Sequence, residues 1–220
     1  MFGNVKRSIL VAGTAVAMMI VAPLSFAEER VGDPYTLDTC PVSGGALDSK
    51  GEPVVEIIDG REVKFCCGGC PGMFAGDKET FFAKIDAQIV EQQKDHYPLE
   101  TCPVSGGKLG SMGDPIDLVV NNRHVKICCA GCKEKLEADP ASFIAKLDKA
   151  VIANQSKTYA LKACPVSGEA LTDSSINVVV GNRLVQICCA GCEAEVKDNP
   201  TKYFAMLDAG KIGEVKGHQH

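Results

Sequence analysis

Tryptophan is absent from this chain of 220 residues, and tyrosine and histidine occur only four times each. Basic residues are neither abundant nor clustered: 23 lysines and arginines face 28 acidic residues, for a net charge of −5. Phosphate binding needs basic patches and base stacking needs rings, so nucleic acid is not expected as a partner. There is no Ser/His/Asp set, no recurring carboxylate pair and no glycine loop to cradle a phosphate, so the chain is not expected to be an enzyme. Beyond the first 27 residues, methionine is confined to Met73, Met112 and Met206, scattered singly, which excludes a methionine-rich copper motif. His96, His124, His218 and His220 do not recur with any period and are expected at the surface; the His218-Gln-His220 tail offers at most adventitious copper binding.

What the chain has is cysteine in a strict pattern. All twelve cysteines fall in three copies of one motif. The copies read Cys40-Pro-Val-Ser-Gly-Gly with Cys66-Cys67-Gly-Gly-Cys70, Cys102-Pro-Val-Ser-Gly-Gly with Cys128-Cys129-Ala-Gly-Cys132, and Cys164-Pro-Val-Ser-Gly with Cys188-Cys189-Ala-Gly-Cys192. Tyr35, Tyr97 and Tyr159 each stand five residues before the lone cysteine and 62 residues apart. The period defines three tandem units, 35–96, 97–158 and 159–220, and marks an array of small modules. The lone cysteine precedes the pair by 26 residues in two units and by 24 in the third, an indel placed around Leu171 to Ile176 where a loop tolerates it.

Residues 1–27 read as a signal peptide. Lys6 and Arg7 open it, Ser8 to Ala22 is almost wholly apolar but short for a membrane span, and Ser25-Phe26-Ala27 offers small residues for cleavage after Ala27. No cysteine stands at that point to take a lipid. The expected mature protein is periplasmic or secreted and not membrane-inserted. Losing Lys6 and Arg7 leaves 21 basic against 28 acidic residues, a net charge of −7.

A module of about 60 residues buries too little surface to be held comfortably by its core alone, and four cysteines supply the staple, by metal or by disulfide. In unit one, Val54 to Ile58 and Glu62 to Phe65 flank Asp59-Gly60, the signature of a β-hairpin with a two-residue turn. Asn121-Asn122 and Gly181-Asn182 take that place in the other units. The second strand runs straight into the cysteine pair. A short helical segment follows, then Asp77, Asp139-Pro140 and Asn199-Pro200 mark the start of a second helix. Its apolar stripe, Phe143, Ile144, Leu147, Val151 and Ile152 in unit two, is expected to cover the hairpin. Arg61, Arg123 and Arg183 recur just past the turn and are expected on the solvent side, while the recurring tyrosines are expected to anchor the entry into each cysteine loop.

The fold class is therefore α+β: three tandem modules, each a cysteine knuckle, a β-hairpin and a C-terminal helix, in the manner of treble-clef or zinc-ribbon folds. Ser43, Ser105 and Ser167 occupy the place of a second knuckle cysteine, and a hydroxyl is a poor ligand for a soft or borderline metal. Cysteines at a helix start are expected to be biased toward thiolate. Two coordination schemes stay open. In one, Cys40, Cys66 and Cys70 hold the ion with Cys67 auxiliary; in the other, all four sulfurs close a tetrahedron. Neighbours on an extended strand point to opposite faces, which favours the three-sulfur scheme.

The lone cysteine, the hairpin, Phe65-Cys66-Cys67-Gly-Gly-Cys70, the following helix and Asp139-Pro140 together resemble the YHS/TRASH-type heavy-metal-binding modules. The resemblance covers all three units. It implies a role in trafficking, resistance or sensing of heavy metals, with the early cysteine and a Cys-x-x-x-Cys pair as ligands. Those map to Cys40, Cys66 and Cys70; to Cys102, Cys128 and Cys132; and to Cys164, Cys188 and Cys192. Here the interval before the pair is a few residues longer than the usual motif, and Cys67, Cys129 and Cys189 are additional.

The favoured reading is an exported protein that buffers or carries thiophilic ions, Zn²⁺ or Cu⁺, up to one per module, with metal ions and another metal-handling protein as partners. Three rivals stand beside it: an array stapled by structural zinc, an array stapled by two disulfides per unit, and a thiol redox protein built on Cys67-Gly-Gly-Cys70.

Overall fold

A computed structural model describes residues 30–210; the expected leader and the His218-Gln-His220 tail lie outside the described residues. The chain is α+β and runs three times through the same sequence of elements. First comes the Cys-Pro-Val-Ser-Gly loop. Cys40, Cys102 and Cys164 each accept, through the backbone carbonyl, a hydrogen bond of 2.8 Å from Gly44, Gly106 and Gly168. Those glycines have φ of 71°, 75° and 79°, the left-handed region where a side chain would strain the turn.

Next comes an antiparallel hairpin: β1 (Val54–Ile58) with β2 (Arg61–Phe65), β3 (Ile116–Val120) with β4 (Arg123–Ile127), and β5 (Ile176–Val180) with β6 (Arg183–Ile187). In each register the residue after the turn faces the residue before it, Ile58 with Arg61, Val120 with Arg123 and Val180 with Arg183. Both turn residues have positive φ in all three cases, 52° and 76° at Asp59-Gly60, 50° and 64° at Asn121-Asn122, and 55° and 60° at Gly181-Asn182. This is the turn whose twist matches the strands.

A short helix then leads from the cysteines, α1 (Cys70–Gly76), α3 (Lys133–Ala138) or α5 (Glu193–Asp198), and a second follows, α2 (Lys78–Gln93), α4 (Pro140–Gln155) or α6 (Pro200–Ala209). The expected N-caps are in place at α2 and α4, where the Asp77 and Asp139 carboxylates accept from the Thr80 and Ser142 amides at 3.3 Å. Asn199 stands at the same position of α6 without a side-chain cap bond. Each repeat builds its own apolar cluster around buried strand residues, Val63 and Phe65, Val125 and Ile127, or Val185 and Ile187, together with its cysteines. No helix among the described residues is long and apolar enough to cross a membrane.

The repeats interlock. Helices α2 and α4 run past their own repeats and pack on the next hairpin, α2 on β3 and β4, α4 on β5 and β6. At its end, buried Gln93 donates to the Asn122 carbonyl (3.1 Å) and accepts from the His124 amide (2.9 Å). Gln155 repeats this clamp on the Asn182 carbonyl (2.9 Å) and the Leu184 amide (2.8 Å). Arg61 donates to the Asn122 side chain (3.0 and 3.1 Å), and Arg123 to that of Asn182 (3.2 Å). In return Asn122 donates to the Glu62 carbonyl and Asn182 to the His124 carbonyl, each at 3.0 Å.

The segment before Tyr35 closes the hub. Val31 donates to the Gly60 carbonyl (2.8 Å) and Asp33 to that of Asn121 (3.0 Å), and the Asp33 carboxylate accepts from the Gly181 amide (2.7 Å) and from Arg123 (2.7 and 3.0 Å). One short segment thus touches all three hairpin turns.

Two expectations are corrected here. Arg123 is 1% exposed rather than solvent-facing and Arg61 is largely covered, because the turns they flank meet each other instead of water, while Arg183 is largely covered against Phe204 and Asp208 of its own repeat. His124 is buried, with Nε2 2.6 Å from Asp117.

Candidate metal centres

Each hairpin carries the hub at its turn and the cysteines at its open end. Backbone direction explains which sulfurs meet. Cys129 and Cys189 are fully extended (φ −164° and −155°), yet each sulfur stays 3.8 Å from that of the preceding cysteine, so the expected alternation of faces does not part the pair. The chain then turns, the Cys70, Cys132 and Cys192 amides donating to the Cys67, Cys129 and Cys189 carbonyls at 3.1–3.2 Å. That turn returns the last cysteine to the first of the pair.

The result is three sulfur triads: Cys40, Cys66 and Cys70; Cys102, Cys128 and Cys132; Cys164, Cys188 and Cys192. Within each, all Sγ atoms lie within 4.8 Å of one another. The Cys66–Cys70, Cys128–Cys132 and Cys188–Cys192 separations are 3.8, 3.7 and 3.8 Å. Thiolates about 2.3 Å from an ion stand about 3.8 Å apart in a tetrahedral site and about 4.0 Å apart in a trigonal one. The triads therefore have the spacing to hold one ion each. All twelve cysteines are free thiols.

The fourth cysteines stand outside these groups, beside them. Cys67 Sγ lies 3.6 Å from Cys70, Cys129 Sγ 3.8 Å from Cys128 and 4.0 Å from Cys132, and Cys189 Sγ 3.8 Å from Cys188. Cys67 and Cys129 are half-buried, whereas Cys189 is exposed.

The serines that replace a second knuckle cysteine have a definite place. The Ser43, Ser105 and Ser167 hydroxyls lie 3.3, 3.3 and 3.2 Å from the Cys66, Cys128 and Cys188 sulfurs. Each hydroxyl oxygen also accepts from the amide two residues on, at 3.2–3.3 Å. The serine is thus a hydrogen-bonding neighbour of the triad, a role that its weakness as a ligand does not reveal.

Charge is unevenly shared among the sulfurs. Burial opposes ionisation of Cys40, yet amides at Ser43, Cys66 and Val42 and the Ser43 hydroxyl together hold its thiol down at about 6. The same balance of burial against Ser105 and nearby amides brings Cys102 to about 6, and its counterpart brings Cys164 to about 7. Burial, followed by the neighbouring thiols, pushes Cys70 and Cys132 up to about 12 and raises Cys192 as well. The expectation for the helix-start cysteines therefore holds only in part: the Gly69 amide lowers the Cys67 thiol and the neighbouring thiols lower that of Cys129, while Cys70 and Cys132 are raised and the knuckle loop aims its amides at the lone cysteine. An anionic sulfur beside protonated ones is an arrangement that a cation completes by displacing the remaining protons.

The third triad differs from the others. Cys188 is half-buried where Cys66 and Cys128 are buried. Glu169 stands where the other repeats have Gly45 and Gly107, and its amide donates to the Ser167 hydroxyl that lies 3.2 Å from the Cys188 sulfur. The Ser167 hydroxyl favours the Cys188 thiolate, but burial, Glu169 and the adjacent thiols outweigh it and push that thiol up to about 11. The sequence signalled Glu169 only as a break in an otherwise repeated glycine.

No family model matches this chain, and no curated protein or solved structure matches it either.

Proposed function

We propose that the chain is an exported heavy-metal-binding protein that buffers or carries thiophilic ions, Zn²⁺ or Cu⁺, one per triad. The observation that carries this reading is the threefold recurrence of a sulfur triad with metal-compatible spacing, 3.7–3.8 Å across each Cys-x-x-x-Cys pair. Three sulfurs leave a coordination position open, and an open position suits exchange better than a closed structural site does. The knuckle, hairpin and helix around each triad support a treble-clef-like module, and the resemblance to YHS/TRASH-type domains supports heavy-metal handling. Export rests on the leader-like segment 1–27 and fits a mature charge that does not repel cations.

A second reading has a specific observation behind it. The triads of the first two repeats are wholly buried, which suits ions whose task is to hold the fold.

The deciding experiment measures metal content and free thiols on one sample of the chain purified from its native compartment. Three ions per chain, with thiols that react only after chelation, are expected. Metal-free protein whose thiols appear only after reduction would replace the metal reading with a disulfide-stapled array.

A further inference from the structure

We propose that the three sites are not equivalent, and that the third is the port through which an ion passes to or from a thiol-bearing acceptor while the first two retain theirs. This rests on the metal-binding reading above. Three observations single out the third site. Its middle ligand, Cys188, is half-buried, whereas the triads of the first two repeats are fully buried. Its fourth cysteine, Cys189, is exposed and sits 3.8 Å from Cys188. Its knuckle loop carries the exposed Glu169 where the others have glycine, next to the Ser167 hydroxyl that lies 3.2 Å from Cys188.

Ligand exchange at a thiolate-bound ion proceeds by addition: an incoming sulfur bonds to the ion before one of the resident bonds breaks. The incoming thiol loses its proton and the departing cysteine gains one, so charge and ligand number are conserved over the full transfer. A buried triad offers an incoming sulfur no approach. The third does so beside Cys188. Cys189 supplies a sulfur of the chain that bonds to the ion as Cys188 releases it, and Glu169 supplies an oxygen donor to a partly detached ion. The acceptor this fits presents one or two thiolates on a protruding loop able to approach the exposed cysteine.

The test loads the full chain with zinc and mixes it with excess dithiothreitol and the chromophoric chelator 4-(2-pyridylazo)resorcinol, following zinc as it leaves. One ion of three is expected in a phase at least about tenfold faster than the others, a difference of ~1.4 kcal/mol in barrier. Its rate should rise with dithiothreitol concentration. C189S should slow that phase and flatten its thiol dependence, and Glu169→Gly should slow it with three ions still bound. A C164S/C192S double variant should bind two ions and lack the phase. Release of all three ions at one rate, or a fast phase that survives in the double variant, would overturn the proposal while leaving the metal reading intact. A chain that binds no zinc would overturn both.

Discussion

Replacing Arg123 by alanine tests whether the repeats form one interlocked body. The guanidinium is 1% exposed and meets four partners: the two Asp33 oxygens at 2.7 and 3.0 Å, Asn182 at 3.2 Å and Asp148 at 3.0 Å. Its removal leaves Asp33 and Asp148 without their shared cation in a covered site and unpairs one Asn182 acceptor. Breaking a buried ion pair by deleting one partner costs about 3–5 kcal/mol, because the remaining charge is uncompensated. For a folded unit of this size that corresponds to a loss of roughly 10 °C in melting temperature. The exposed Lys78–Asp59 pair, 3.0 Å apart with side chains 44% and 62% accessible, is the control. Lys78→Ala should cost about 1 kcal/mol or less. Denaturant titration of the zinc-loaded chain, followed by circular dichroism, reads both. Since Arg123 joins the lead segment, the second hairpin and the third turn, its loss should also broaden or split the transition. A cost for Arg123→Ala no greater than that for Lys78→Ala, with one sharp transition kept, would refute the hub.

Three further outcomes follow from the same geometry. Gln93→Ala leaves the Asn122 carbonyl and the His124 amide without partners and should cost about 1–3 kcal/mol, whereas Gln88→Ala, on an exposed turn of the same helix, should cost far less; equal costs would count against the clamp. Ser105→Ala removes the hydroxyl 3.3 Å from Cys128 and should weaken zinc at that site by about tenfold in a competition titration, since groups that orient and bond a ligand are worth roughly 10–100-fold in affinity; unchanged affinity would reduce the serine to loop structure. Burial, opposed by the Asp117 contact, holds His124 below its ordinary value, so the unfolded chain binds that proton first on acidification. Its neutral burial therefore contributes full stability above the ordinary histidine range and loses it as pH falls through that range. Zinc-loaded chain should lose more stability between pH 7.5 and 5.5 than His124→Gln does, compared by melting curves, and identical losses would remove His124 from the account.

The elements within a repeat were legible because their signals are local. Asp59-Gly60 between two apolar runs dictates a hairpin and Asp139-Pro140 dictates a helix start, whereas alternation along the extended Cys128-Cys129 does not part their sulfurs, which stay 3.8 Å from each other. What was not legible lies between repeats. Arg123 and His124 flank a hairpin turn, where exposure is the rule, and only the arrival of another repeat's turn buries them. The pattern did carry a clue. Asn122 and Asn182 occupy the turns of the second and third repeats, and Gly60 that of the first. Only the later two follow a repeat whose arginine seeks an acceptor. Arg61, Arg123 and Arg183 each meet an aspartate of their own repeat, Asp86, Asp148 or Asp208, yet Arg61 and Arg123 alone also reach an asparagine of the next. A polar residue that recurs only where a neighbour precedes it marks an interface between repeats.

This division of labour bears on why the sulfur triads sit where they do. A lone two-stranded hairpin is marginal in water. Here each is pinned at its turn by the hub and at its open end by cysteines, about 17 Å apart along a five-residue strand. The turn end is held by polar contacts among all three repeats, so it persists whether or not any one triad is filled. At the open end the knuckle, the strand end and the helix start meet around the sulfurs and an apolar cluster within a single repeat. On the proposed metal reading, loss of an ion would loosen one strand end and one helix start without dissolving the body that presents the other two triads. On that reading, such an arrangement would let one triad empty and refill while its neighbours stay loaded.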